Sequence, residues 1–313
     1  LMPLSTPQSI GGDTAASITA GIAQGQRRDV RGKIIEGVLI LALAGSLLIL
    51  AVLLVDLMRR SWPIWTDRPG DFLSGPLNSA SASSAGVWQG IKGTIELVVI
   101  VVVVAIPLGV SCAVYLEEYA GTSRLASFTR LNVRNLAGVP SIVYGLLGLA
   151  LFVQFLDLGQ TVWAGGLALS ALVLPIVIIT ASEALRAVPY SVREGAFGVG
   201  ATRWETTRSH VLPAAAPGIL TGVVLSLARA AGEAAPILLV GAATGLLRTG
   251  NQSLWEQFGS SFTAMPVVIF SYARQPGDDF RELTAAASVV LLVLVLLMNG
   301  LAIWLRNRYQ RKW

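Results

Sequence analysis

The chain has 313 residues, of which 54% are hydrophobic and only 13% charged, with a formal net charge of +5. Soluble domains carry about 25% charged residues, so this composition excludes an ordinary soluble globule and points to a lipid bilayer. Six apolar stretches reach the roughly 20 residues that a helix needs to cross a hydrocarbon core. They lie near Ile34–Val55, Gly93–Leu116, Leu136–Leu156, Gly165–Ala187, Ala214–Gly241 and Leu283–Leu305, which predicts an all-α, polytopic membrane protein.

Residues 1–33 are rich in Gly, Ser, Thr, Ala and Gln and read as a flexible tail. The apolar run that follows starts too late and is too long for a signal peptide, so a first span is expected there. The segment Asp56–Gly90 carries no readable motif. The second span holds Gly109 and Ala113 at four-residue spacing, and a lone Cys112 that cannot form an internal disulfide. The third carries Ala137, Ser141 and Gly145 at the same spacing, small residues of the kind that let helices approach closely in lipid. Pro107, Pro140, Pro175, Pro217 and Pro236 fall within or beside spans, and each can kink a helix and free a carbonyl. Ordinary packing accounts for any one of these positions; together they suggest a bundle that rearranges. Ser141, and Thr180 and Glu183 in the fourth span, are candidate polar contributors to a solute path, although small hydroxyls also satisfy backbone groups in bent helices.

Between the fourth and fifth spans, Val188–Pro213 is too polar to span yet is organised like structure. Ser191 can cap a short helix, Gly198 and Gly200 break it, and Thr202 with Glu205 three residues later forms a capping box for a second helix. Two readings stand side by side here: a cytoplasmic docking element, or an amphipathic interfacial loop.

The fifth span is the most informative. Arg229 and Glu233 stand four residues apart in an apolar stretch, which places both on one helical face. Charges at bilayer depth are costly, so they face a bundle interior, pair with each other, or line a path. The small neighbours Ala230, Ala231 and Gly232 leave room beside the arginine, whose planar, permanently charged fork suits oxyanions. Glu233 would repel an anion and is expected to restrain Arg229 or pair across an interface. A salt bridge that merely fixes helix position is the alternative.

An even number of spans puts both termini on one side. Placing them in the cytoplasm divides the Lys and Arg residues outside the spans about two to one in favour of the inner segments, as the positive-inside rule requires. That asymmetry accounts for the basic balance without nucleic acid as a partner. The expected organisation is a cytoplasmic tail over 1–33, a membrane domain over 34–305 containing the 188–213 loop, and a second cytoplasmic tail over 306–313.

Glu194-Gly195-Ala196, Gly200 and Leu212-Pro213 keep the spacing of the E-A-A-x3-G-x9-I-x-L-P loop of ABC importer permeases, which they resemble. Gly195 and His210 depart from that pattern, and Gly195 costs the first short helix about 1 kcal/mol relative to Ala. Gly93-Thr94-Ile95, Ile106-Pro107-Leu108-Gly109, Tyr115-Leu116-Glu117-Glu118-Tyr119-Ala120, Leu136–Gly145 and Arg229-x-x-Gly232-Glu233-Ala234-Ala235-Pro236 extend the likeness over about residues 86–305. They look like the PstA branch, the permeases of phosphate-specific ABC transporters.

The resemblance implies a type I ABC importer permease fold with six transmembrane helices in the bacterial plasma membrane, and transport of inorganic phosphate by alternating access. It implies four kinds of partner: a PstC-like permease, two copies of a PstB-like ATPase, a PstS-like phosphate-binding protein and the lipid bilayer. Glu194, Ala196, Phe197, Gly200, Thr202 and Trp204 would contact the ATPase; Arg229, Glu233, Ser141 and Thr180 are expected on the substrate path from their own chemistry rather than from the resemblance. No G-x-x-x-x-G-K-[ST] loop is present, so ATP and Mg are expected on the partner and no cofactor in this chain. Rival readings are an importer of sulfate or molybdate, and a sensor or scaffold that binds the ATPase without conducting. An enzyme is disfavoured because Asp157, Glu183 and His210 form no catalytic set, and no metal-ligand cluster appears.

Overall fold

The computed structural model describes residues 30–121, 123–245 and 258–309, and every regular element among them is helical. In chain order these are α1 (Val30–Asp67), α2 (Pro69–Ser74), α3 (Trp88–Val114), α4 (Arg124–Ala137), α5 (Ser141–Gly148), α6 (Val162–Arg186), α7 (Tyr190–Gly198), α8 (Arg203–Thr206), α9 (Leu212–Gly232), α10 (Ala235–Val240), α11 (Met265–Ala273) and α12 (Asp278–Tyr309). Wider π-helical turns extend α3 over Tyr115–Tyr119, α5 over Leu149–Phe155 and α8 over Thr207–Val211. Five helices among the described residues are long and apolar enough to cross a membrane, or six if the bent pair Arg124–Ala137 and Ser141–Phe155 counts as one span.

The chain divides into two units, residues 1–56 and 57–313. In the first, apolar side chains from Ile34 to Val55 are exposed, the inverse of a soluble helix and the pattern of a surface that meets lipid. In the second, α3, α6 and α9 form the centre, with Leu97, Ile100, Val101, Leu169, Val173 and Val177 buried between them and their neighbours. Lipid removes the hydrophobic drive between helices, so close approach must supply the attraction. A Cβ on Gly222 of α9 would lie 2.3 Å from the Thr180 hydroxyl of α6, and one on Gly145 of α5 would lie 2.8 Å from the Pro236 Cα of α10.

Two expected spans are broken. The third does not run from Leu136: Leu136 and Ala137 end α4, and the chain turns through 102° before Ser141–Phe155. Pro140 explains the break, since it has no N–H to continue the α4 ladder and its ring would strike the carbonyl four residues back. Ala137 therefore does not share a helix with Ser141 and Gly145. The fifth span stops at Gly232 and restarts at Ala235. The residue four before Pro236 is Gly232, so the same clash ends the helix there.

The segment 57–90 is built, although the sequence offered no motif for it. Phe72, Leu77, Ala85 and Val87 are buried with Met265, Val268 and Tyr272 of α11 and Leu283 and Ala286 of α12. The Arg68 guanidinium donates to the carbonyls of Ala82 and Ser83 at the end of a short turn. The buried Tyr272 hydroxyl donates to the Gly86 carbonyl at 2.6 Å.

Candidate functional site

Arg229 lies in the last turn of α9, where the helix dipole favours a cation. Glu233 follows as the cap residue with extended backbone (φ −80°, ψ 120°). The pair forms across the helix end rather than along a continuous face: Arg229 Nε is 3.2 Å from Glu233 Oε1. The arginine side chain is 52% exposed and the glutamate 18%. Ala230 and Ala231 are buried against Thr94, Leu97, Val98 and Leu169, so their small size serves the packing of α9 onto α3 and α6. Space beside the pair comes instead from Gly232, whose Cβ position has nothing within 4 Å.

Ser141 opens α5 directly after Pro140 and is half-buried. It shares a face with Gly145, the residue that presses on α10 just past the break at Glu233. Thr180 sits elsewhere. Its hydroxyl donates to the Ile176 carbonyl at 3.0 Å and closes on Gly222, seven residues before Arg229, about 10 Å along the helix axis. The fold thus brings Arg229 and Glu233 together, puts Ser141 on the helix that packs against the following segment, and places Thr180 in an α6–α9 contact.

The 188–213 loop forms two short helices. The first, α7, begins after Pro189 with no side-chain cap; Ser191 lies inside it, because Pro189 already fixes the entry and leaves Ser191 two residues too late to cap. It ends at Gly198, and Gly200 adopts φ +87°, a left-handed conformation that glycine reaches without a Cβ penalty. The Ala201 N–H then donates to the Ala196 carbonyl at 3.1 Å. Thr202 and Glu205 form the expected capping box: the Thr202 N–H donates to Glu205 Oε2 at 2.8 Å and the Glu205 N–H to Thr202 Oγ1 at 3.3 Å. Ala196 is buried. Glu194, Phe197, Gly200, Thr202 and Trp204 are exposed, as are Tyr190 and Val199, so these two helices present an aromatic and apolar surface to their surroundings.

A charged cluster beside this loop was not anticipated. Glu117 and Glu118, in the π-helical turn that ends α3, accept from arginines far along the chain. Arg186 donates to both Glu117 oxygens, at 2.7 and 2.8 Å, and Arg193 to both Glu118 oxygens, at 3.2 and 2.6 Å. Arg130 of α4 lies 3.7 Å from Glu117 and donates to the Leu116 carbonyl. In sequence these arginines count only as topology signals, and the partners of Arg186 and Arg193 lie 69 and 75 residues away, beyond any local pattern. The one available signal was the adjacent carboxylates closing an apolar span.

Residues 105–311 match the family described as binding-protein-dependent transport system inner membrane component. The phosphate transport system permease protein PstA 1 of Mycobacterium tuberculosis (strain CDC 1551 / Oshkosh) is 34% identical over 223 residues, covering 71% of this chain and 71% of that protein. PstA of Yersinia pestis is 35% identical over 227 residues, 71% of this chain and 72% of that one. The probable ABC transporter permease protein YqgI of Bacillus subtilis (strain 168) is 31% identical over 248 residues, 75% and 82%. Among solved structures, a chain of the inward-facing MetNI methionine ABC transporter superposes with a TM-score of 0.53 at 18% identity, covering 72% of this chain and 95% of that one. At that identity the likeness speaks for the fold alone.

Proposed function

This chain belongs to the family of binding-protein-dependent transport system inner membrane components, with a type I ABC importer permease fold, and from that premise we propose that it conducts inorganic phosphate. It forms half of a translocation path, beside a PstC-like permease, and is driven by two PstB-like ATPases that carry the ATP and Mg. A PstS-like binding protein delivers the anion on the outer side. Both termini lie in the cytoplasm. The observation that carries the substrate reading is the half-exposed Arg229 guanidinium, held by Glu233 at a break in a membrane-spanning helix. An arginine there gives an oxyanion a positive station, and the neighbouring carboxylate keeps that station weak enough to release it. The relatives named for phosphate transport support the same substrate.

The exposed side chains Glu194, Phe197 and Trp204, with Gly200 and Thr202 shaping the turn between α7 and α8, are the surface for the ATPase. Nucleotide binding displaces that surface, and the spans exchange inward and outward states through differential contacts.

The test is uptake of radiolabelled phosphate by proteoliposomes holding the whole transporter, competed by sulfate and molybdate. Arg229→Gln is expected to lower phosphate uptake at least tenfold, roughly 1.4 kcal/mol of lost anion stabilisation, with the complex still assembled. Undiminished uptake removes Arg229 from the path; equal competition by sulfate replaces phosphate with a wider oxyanion class.

A further inference from the structure

We propose that Glu118 and Arg193 join α7 to the inner end of α3 as one rigid piece, so that displacement of α7 reaches the second span rather than being absorbed in the loop. This rests on the reading of α7 and α8 as the ATPase-facing element and adds the route by which motion leaves it. Exposed ion pairs contribute little, but this one is nearly enclosed, with 13% of the Arg193 side chain and 9% of Glu118 exposed. Four of the five guanidinium N–H groups are engaged. Besides its two bonds to Glu118, it donates to the Val188 carbonyl at 2.9 Å and the Leu185 carbonyl at 3.0 Å. One planar group therefore ties α7, the end of α6 and the end of α3.

Only an arginine supplies this fork; a lysine ammonium is a point charge that can reach the carboxylate without fixing its angle. Glu117, the next residue, holds Arg186 at the end of α6 and Arg130 of α4. The π-helical turn over Tyr115–Tyr119, closed by the Ala120 N–H on the Tyr115 carbonyl at 2.9 Å, carries both carboxylates. Such turns reorient side chains relative to the helix that precedes them. Arg193 and Glu118 are thus positioning residues: they touch no solute, and they set how α7 moves with respect to α3.

The experiment places spin labels at Val199→Cys and Tyr115→Cys on a Cys112→Ala background, in the transporter assembled with its partner permease and ATPases. Both positions are exposed. With the Glu118–Arg193 pair intact, the label separation is expected to stay the same with and without trapped nucleotide. Arg193→Lys and Glu118→Gln are expected to make it shift with nucleotide, and to cut phosphate taken up per ATP hydrolysed roughly tenfold, within the usual range of coupling energies. A separation that changes while the pair is intact overturns the proposal without recourse to any variant, and so does one that stays fixed in both variants. The label readout needs no phosphate, so its failure is distinct from failure of the substrate reading. An intact chain to which no ATPase binds strikes the docking reading instead.

Discussion

The opposite ends of α3 are held by opposite chemistry. At its start, the 57–90 segment packs through Phe72, Leu77 and Val87 against α11 and α12, with Arg68 donating to carbonyls and the Tyr272 hydroxyl donating to the Gly86 carbonyl. At its finish, two adjacent carboxylates hold three arginines from α4, α6 and α7. Apolar packing tolerates small rotations but not gaps or intrusions. A forked ion pair does the reverse: it fixes an angle, and can be exchanged for nonpolar groups at small cost if both partners go together. The first end is built to stay filled, the second to stay aligned.

The comparison breaks first at Gly93. A Cβ there would meet the Thr263 carbonyl oxygen at 1.9 Å, a backbone atom that cannot swing aside as a side chain can. Gly93→Val is expected to destabilise the purified chain by about 3 kcal/mol or more, read as a lowered melting temperature in detergent or loss of folded yield. Next comes Glu118→Leu. It strands the enclosed Arg193 charge and should cost about 3 kcal/mol, most of it regained in Glu118→Leu/Arg193→Met. A double variant no better than the single one would show that the α7 end depends on the charges themselves.

The sequence made the helical class and the Arg229–Glu233 pair legible because both are local: apolar runs of span length, and two charges at helical spacing. The capping box at Thr202–Glu205 was readable for the same reason. Pro140 and Pro236 read in sequence as kink sites, yet the breaks they cause are complete, since each removes a hydrogen bond beside a glycine, Gly138 or Gly232, that also favours leaving the helix. What stayed hidden depends on distant partners. Phe72 and Leu77 find α11 and α12 about 200 residues onward, and Glu118 finds Arg193; neither leaves a periodic trace. The close approach of Thr180 to Gly222 is likewise a contact between distant helices that the local sequence does not reveal.

A smaller effect sharpens the description of the neutral end. Burial pushes the Tyr272 phenol up to about 12 from its ordinary value of 10.0, so it remains a donor to Gly86. A raised acid pKa means stability that is complete below the unfolded value and lost as pH rises through the folded one. Stability is therefore expected to fall between about pH 10 and 12. Tyr272→Phe should cost about 1–2 kcal/mol at neutral pH and remove its share of that alkaline slope, as followed by melting temperature against pH.

The smallest expected effect lies at the charged end, and its smallness is informative. Arg186 makes shorter bonds to Glu117 than Arg193 makes with its Nε to Glu118, at 2.7 against 3.2 Å. Bond length alone does not rank the two pairs, because the other Arg193 bond, from Nη2 to Glu118, is 2.6 Å. Exposure does rank them: 46% of the Arg186 side chain is exposed against 13% for Arg193, and water competes for an exposed ion pair while salt screens it. Glu117 also keeps Arg130 at 3.7 Å, so losing Arg186 does not leave the carboxylate alone. Arg186→Ala is expected to cost about 0.5 kcal/mol, shrinking further in 0.5 M salt, in chemical unfolding of the detergent-solubilised chain. A loss as large as that of Glu118→Leu would mean that the two carboxylates act as a single cooperative unit, and that enclosure does not decide which pair aligns α7.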